Sequence, residues 1–217
     1  MHKFYIGFLY IKIMHLYTKE YFNNKKNLCH EVLTEVEKVL PFLKGNTVLD
    51  VACGTGRHGY LLEYYGYKVT YLDISKDALD NIWWSNRKIV GDFLKVNIEE
   101  KFDNVISFQF IEHLDDASLE KTLLKMKNIA KKTVINVTLH PQHSEYHKDK
   151  THVKRSFSKL VKIYLKILPN TFIVRYDNKY RNSFLSILRG LGEKLIPHYF
   201  ENLMFVTLIE DYGSNKP

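Results

Sequence analysis

Asp50 stands four residues before the first of three glycines in Val48-Leu49-Asp50-Val51-Ala52-Cys53-Gly54-Thr55-Gly56-Arg57-His58-Gly59, a spacing that describes a place where a ligand is held. An apolar run containing one acid gives way to the glycines and then to Tyr60-Leu61-Leu62, the pattern of a buried strand, a tight turn and a helix. Gly54 and Gly56 can take positive φ and let the backbone approach a bulky group, while the N–H groups opening the next helix favour an anionic one. A plain turn would not need the acid. The glycine spacing also fits the dinucleotide fingerprint, so these residues alone leave two cofactor classes open.

Two further acids follow at telling distances. Asp73 closes the apolar run Lys68–Asp73, about 20 residues beyond the glycines, where an acid grips ribose hydroxyls. Ser75 just after it reads equally well as the N-cap of a helix that turns Ala78, Leu79 and Ile82 to the core. Arg87-Lys88-Ile89-Val90 forms a third short strand and ends in Gly91-Asp92-Phe93. There Asp92 can accept a bond from an amino group and Phe93 can offer a ring face, although Gly-Asp is also a common turn. The run Gln109-Phe110-Ile111-Glu112-His113-Leu114-Asp115-Asp116 lies past a fourth strand, Phe102–Phe108. His140, His143, His147 and His152 fall within thirteen residues after a fifth, Thr133–Leu139, with Glu145 and Asp149 among them. His143 and His147 would share a helix face, but no dedicated ligand motif is completed and no metal is expected.

Val-Leu-Asp-Val-Ala-Cys-Gly-Thr-Gly, with Asp73 and Asp92 behind it, resembles the motifs of class I S-adenosylmethionine-dependent methyltransferases over about Val48 to Leu139. The resemblance implies an α/β, Rossmann-like, seven-stranded and mostly parallel sheet, with helices on both faces and a C-terminal antiparallel strand. It implies S-adenosyl-L-methionine as cofactor, bound across the ends of the first, second and fourth strands by Asp50, Ala52, Gly54, Gly56, Asp73, Ile74, Asp92, Phe93 and Gln109. In that family the third acid bonds the adenine amino group. Glu112-His113-Leu114 is similar to the corresponding segment of small-molecule methyltransferases.

A narrower similarity concerns the acceptor. Asp149-Lys150-Thr151-His152-Val153-Lys154-Arg155 resembles the Asp-Pro-Thr-His-Val-Arg-Pro loop of methyltransferases from surface-polysaccharide and lipopolysaccharide gene clusters. Lys150 and Arg155 replace its prolines, which leaves this backbone less constrained. Ser107-Phe108-Gln109-Phe110 lacks the polar-Pro-Pro-aromatic loop of base-amino methylation, and neither cysteine stands where a cytosine-directed nucleophile belongs. The expected reaction is O-methylation of a sugar or similar polar small molecule, which can be lipid-linked. Candidate bases are His152 first, then His113 and His140, with Glu112 and His143 behind them, since a histidine titrates near neutral pH. RNA methylation is the rival activity, favoured by the basic surplus and by Arg57, Lys125 and Lys154. A non-catalytic module that binds S-adenosylmethionine or a nucleotide is the rival of another class.

The elements that must position these groups read as follows. Leu28, Val32, Leu33, Val36, Val39 and Leu40 recur at helical spacing, with Glu31, Glu35, Glu37 and Lys38 between them, and the helix stops at Pro41. Gly45-Asn46 turns the chain into the first strand, so residues 1–44 form an arm and helix before a methyltransferase domain over 45–217. A helix from about Ala117 to Ala130 sends Leu119, Leu123, Met126 and Ile129 to the sheet, with Lys125, Lys127, Lys131 and Lys132 solvated or near its end. Ser156 to Leu168 is a basic amphipathic helix that reads as a core helix with solvated lysines or as a membrane-surface element. Thr171–Tyr176 and Leu203–Ile209 are two closing strands around a helical region from Tyr180 to Ile196.

With 217 residues, 45% of them apolar, the chain can bury one core. A net charge of +8 and a pI near 9.2 favour an anionic partner without choosing among RNA, a membrane surface and a charged glycan. The two cysteines, Cys29 and Cys53, exclude a disulfide framework and point to a reducing compartment, the cytoplasm, with peripheral membrane contact as an option. The apolar stretch Phe4–Ile11 is broken by Lys12 and His15 before it could span a bilayer, no small-residue cleavage site follows, and Met14 offers an alternative start.

Overall fold

A computed structural model describes residues 28–141, 150–176 and 202–209. The N-terminal arm, His143, His147, Asp149 and the expected helical region 180–196 lie outside the described residues. The elements are α1 (Leu28–Val39), β1 (Thr47–Val51), α2 (Arg57–Tyr64), β2 (Lys68–Asp73), α3 (Lys76–Asp80), β3 (Lys88–Val90), β4 (Phe102–Phe108), α4 (Asp116–Ile129), β5 (Ala130–Leu139), α5 (Phe157–Ile167), β6 (Thr171–Tyr176) and β7 (Asn202–Leu208).

The strands form one sheet in the order β3-β2-β1-β4-β5-β7-β6. Pairings from β3 through β5 are parallel, and β7 runs antiparallel between β5 and β6. Alternation along the strands explains the layers, because successive side chains leave opposite faces. Val48, Ile106, Ile135, Val137, Met204 and Val206 join α1 and α2 in one buried cluster. Leu49, Val105, Val134, Leu203 and Phe205 join α4 and α5 in the other. Each fully buried aliphatic or aromatic side chain contributes roughly 1.5 to 3 kcal/mol.

α5 is a core helix: Leu160, Ile163 and Tyr164 are buried, and Tyr164 stacks on Phe205 at 3.9 Å between ring centroids. None of the described helices is long and apolar enough to cross a membrane. Two sequence expectations are corrected at the level of single residues. Glu35, grouped with the polar side of the first helix, is 5% exposed, because it shares the inward stripe with Val32, Val36 and Val39. Lys125 is not a solvated lysine: its ammonium donates to the Phe93 carbonyl and, at 2.6 Å, to that of Val96.

Strand order reverses between β1 and β4, whose neighbours lie on opposite sides. In open α/β sheets the crevice at the carboxyl ends of such a pair is where ligands bind. Ala52 and Gln109, the two non-glycine residues with positive φ among those described, follow these strands at φ 57° and 51°. A non-glycine residue in that region is held there by its surroundings, and here both flank the crevice.

Candidate active site

The three glycines of the loop serve different purposes. A Cβ on Gly54, at φ 54°, would meet nothing within 4 Å, so this position faces open space. A Cβ on Gly56 would lie 2.7 Å from Ile82 Cδ1, and one on Gly59 2.2 Å from Tyr71 Cε1. The latter two are glycines because α2 packs closely on β2 and on the turn after α3. Tyr71 has no room to yield, since it is fully buried and its hydroxyl accepts from the Trp84 indole at 3.1 Å.

Asp73 closes β2 and also takes part in the turn that opens α3. One carboxylate oxygen accepts from the Gly54 N–H and the other from the Ser75 N–H, each at 2.8 Å. Ser75 meanwhile caps α3 by accepting from Ala78 N–H at 3.1 Å. Asp73 thus ties the glycine loop to the end of β2, with lone pairs remaining on both oxygens for a ribose. Ile74 beside it is 71% exposed, an apolar face next to that carboxylate.

Asp50 is buried beneath the loop with one carboxyl oxygen lacking a partner. Burial, reinforced by the nearby charge of Asp73 and opposed by the Gly59 N–H, pushes its pKa up to about 8. Asp92 keeps its carboxylate low, mainly through the Leu94 N–H bond at 2.9 Å, and pairs with Lys95 at 3.3 Å. Phe93 is 4% exposed and belongs to the core with Leu72 and Ile111, its ring facing the Lys125 ammonium at 5.1 Å. An open glycine face, a carboxylate with spare acceptors and a buried acid with an unpartnered oxygen fit a cationic, ribose-bearing cofactor.

Across the crevice the turn after β4 brings a second group together. Glu112, His113 and His152 each place a ligand-capable atom within 4.8 Å of the other two, and the two imidazole rings meet edge to face at 4.7 Å. Glu112 is 2% exposed, and neither carboxyl oxygen has a hydrogen-bond partner among the described residues. Burial pushes its pKa up to about 7, with the charge of Glu35 adding to the rise. His140 stands apart from this group, buried and stacked on Phe157 at 5.1 Å.

The segment carrying His152 is clamped to that turn. Val153 N–H donates to the Glu112 carbonyl at 2.8 Å, and the Thr151 hydroxyl bonds His113 Nδ1 at 2.9 Å. Arg155 donates to the Leu114 carbonyl at 2.6 Å and to Asp116 at 2.9 Å, with its side chain 1% exposed. The expectation of a less constrained backbone is corrected here: where the similar loop has proline, Arg155 supplies the restraint through a buried, charge-assisted fork.

One network escaped the sequence reading. Glu35 pairs with His58 Nε2 at 2.7 Å and accepts from the Gln109 amide at 3.0 Å, while His58 stacks on Phe108 at 3.9 Å. These contacts lock α1 onto the glycine-loop helix and onto the strained residue after β4. The available signal was an acid on the apolar stripe of an amphipathic helix, a place where a charge needs partners.

A family model described as a methyltransferase domain matches residues 48–133, the stretch that holds every cofactor-side residue above together with Glu112 and His113. No curated protein sequence is similar at a significant level. Among solved structures, an S-adenosylmethionine-dependent methyltransferase from Archaeoglobus fulgidus is similar at TM-score 0.67 and 20% identity, covering 88% of this chain and 100% of its own. Magnesium protoporphyrin IX methyltransferase from Synechocystis, with bound S-adenosylhomocysteine, is similar at TM-score 0.60 and 16% identity, covering 86% and 87%. A Haloferax volcanii methyltransferase in complex with the Trm112 activator is similar at 0.62 and 14%, covering 88% and 94%. Residues 48–133 thus match a methyltransferase domain, and the sheet order with its β1/β4 reversal is the fold of the S-adenosylmethionine-dependent methyltransferases that the chain resembles.

Proposed function

We propose that the protein transfers the cofactor's methyl group to a hydroxyl of a sugar or similar polar small molecule. The observation that carries this reading is the Glu112–His113–His152 group beside the cofactor crevice, held in place by the Thr151–Arg155 segment. S-adenosylmethionine supplies an already activated methyl on a sulfonium. The chain's task is to bind it, to align the acceptor oxygen in line with the departing bond, to exclude water, and to help the hydroxyl lose its proton. On this reading Asp73 holds the ribose, Gly54 lets the cofactor pass close to the backbone, Ala52 and Gln109 shape the two walls, and Asp50 lies beneath. Ile74, Asp92 and Phe93 form the adenine end. Hydroxyl activation falls to the histidine group, with His152 foremost and His113 beside it, and His140 supports the acceptor wall.

Asp73→Ala is expected to weaken cofactor binding by about 1 to 3 kcal/mol, through loss of charged hydrogen bonds to ribose and of the tie to Gly54. Calorimetry with S-adenosylhomocysteine measures it, and unchanged affinity in a folded variant removes Asp73 from the site. NAD should give no binding signal under the same conditions.

RNA is the second reading, supported by the net charge of +8. Of its three named basic residues, Lys125 spends its ammonium on the Phe93 and Val96 carbonyls, which weakens that support. Labelled cofactor offered in parallel to total RNA and to a surface-glycan extract separates the two. Label in the glycan fraction is the expected result; label in RNA alone, lost steeply with added salt, overturns it.

A further inference from the structure

Glu112 presents a physical problem that its hydroxyl-activating neighbourhood does not by itself solve. A carboxyl group 2% exposed, with both oxygens buried and unpartnered among the described residues, is costly to hold ionised unless a positive charge meets it. The His113 and His152 rings lie beside it. The three ligand-capable atoms lie within 4.8 Å of one another. That spacing suits three ligands around one ion, whose metal bonds of about 2.1 Å put neighbouring ligands roughly 3.5 Å apart, within reach of small side-chain rotations.

We propose that Glu112, His113 and His152 bind a divalent transition-metal cation on the acceptor side of the crevice. Two imidazoles and one carboxylate are a ligand set for zinc, manganese, iron or cobalt, whereas calcium and magnesium prefer sites made of oxygen ligands. The surroundings are those such a set requires. The Thr151 hydroxyl on His113 Nδ1 fixes that ring, as partners outside the ligand shell commonly do for ligating histidines. The Val153–Glu112 backbone bond and the Arg155 fork hold the segment bearing His152 against the turn bearing the other two. His113 is exposed and His152 half-buried, so three protein ligands leave coordination positions open to solvent or to an acceptor.

The binding site stands independently of the acceptor. Its use, lowering the pKa of a coordinated hydroxyl so that the proton passes to solvent and the oxygen can attack the methyl, rests on the reading given above. The test uses the full chain stripped with chelator, dialysed, and titrated with manganese chloride by calorimetry and electron paramagnetic resonance, then with zinc chloride by calorimetry. One ion per chain is expected, with affinity reduced at least 10-fold in Glu112→Gln and in His152→Ala, and unchanged in His140→Ala. Glu112→Gln keeps the side-chain shape, so a folded variant is expected, and circular dichroism checks it. Absence of manganese and zinc binding, or affinity unchanged in the double variant Glu112→Gln/His152→Ala, overturns the site. If ions fail to bind while glycan is still labelled, the cation site falls and the hydroxyl reading stands. If ions bind as expected while RNA takes the label, the reverse holds.

Discussion

His152→Ala is expected to lower turnover by about 100-fold or more while leaving S-adenosylmethionine affinity nearly unchanged. The reason is the division of labour proposed above, in which Asp73, Asp50 and the glycine loop hold the cofactor while His152 belongs to the group with Glu112 and His113. Help in ionising a hydroxyl is realised only on the way to the transition state, so its loss appears in kcat and kcat/KM together. Single-turnover rates with saturating cofactor measure the first quantity and calorimetry the second. A variant with turnover close to wild type, or one that loses cofactor affinity in step with rate, would remove His152 from hydroxyl activation. The expectation covers a histidine that accepts the proton and one that ligates a cation, and the manganese titration tells these apart.

The second large effect is structural. Gly59→Ala should destabilise the fold by about 3 kcal/mol, because overpacking a closed core forces side chains from their wells. The added methyl would stand 2.2 Å from Tyr71 Cε1, on a ring held from behind by Trp84. Chemical denaturation measures the loss, and the companion substitution Tyr71→Leu should recover part of it by removing the clashing atom. Gly54→Ala is the informative contrast. Its Cβ meets no atom, so its penalty comes from the strained φ of 54° and its main effect falls on cofactor binding. Equal melting curves for wild type and Gly59→Ala would contradict the packing account.

Much of this was legible in the sequence, for identifiable reasons. The strand Lys68–Asp73 and the strand Phe102–Phe108 coincide with their apolar runs, since a strand buried between two layers needs little else. The place of Asp73 at the end of β2 and of Ser75 as the cap of α3 was readable because a strand-end acid and a helix cap leave local signatures. What could not be read arises from contacts distant in sequence. Glu35 looks like one more polar residue until His58 and Gln109 are brought to it, 23 and 74 residues away. Arg155 looks like a lost proline until Leu114 and Asp116 show what it holds. The separation of His140 from the His113–His152 pair depends on how a loop returns over the strand ends, which residue type and spacing do not encode. Glu112 was visible as a neighbour of His113, but not the burial that makes its carboxyl unusual.

The antiparallel placement of β7 fixes where the chain can vary in length. Tyr176 and Leu139 both stand opposite Asn202 in the sheet register, so the chain leaves after β6 and re-enters before β7 at the carboxyl edge of β5, beside the crevice. The same edge launches the stretch after Pro141 that returns at Lys150. Exchanging or lengthening what lies between such fixed points costs little closure entropy and leaves every strand pairing intact. Changes between those anchor points therefore leave the β1/β4 reversal, and the loop that Asp73 holds, untouched.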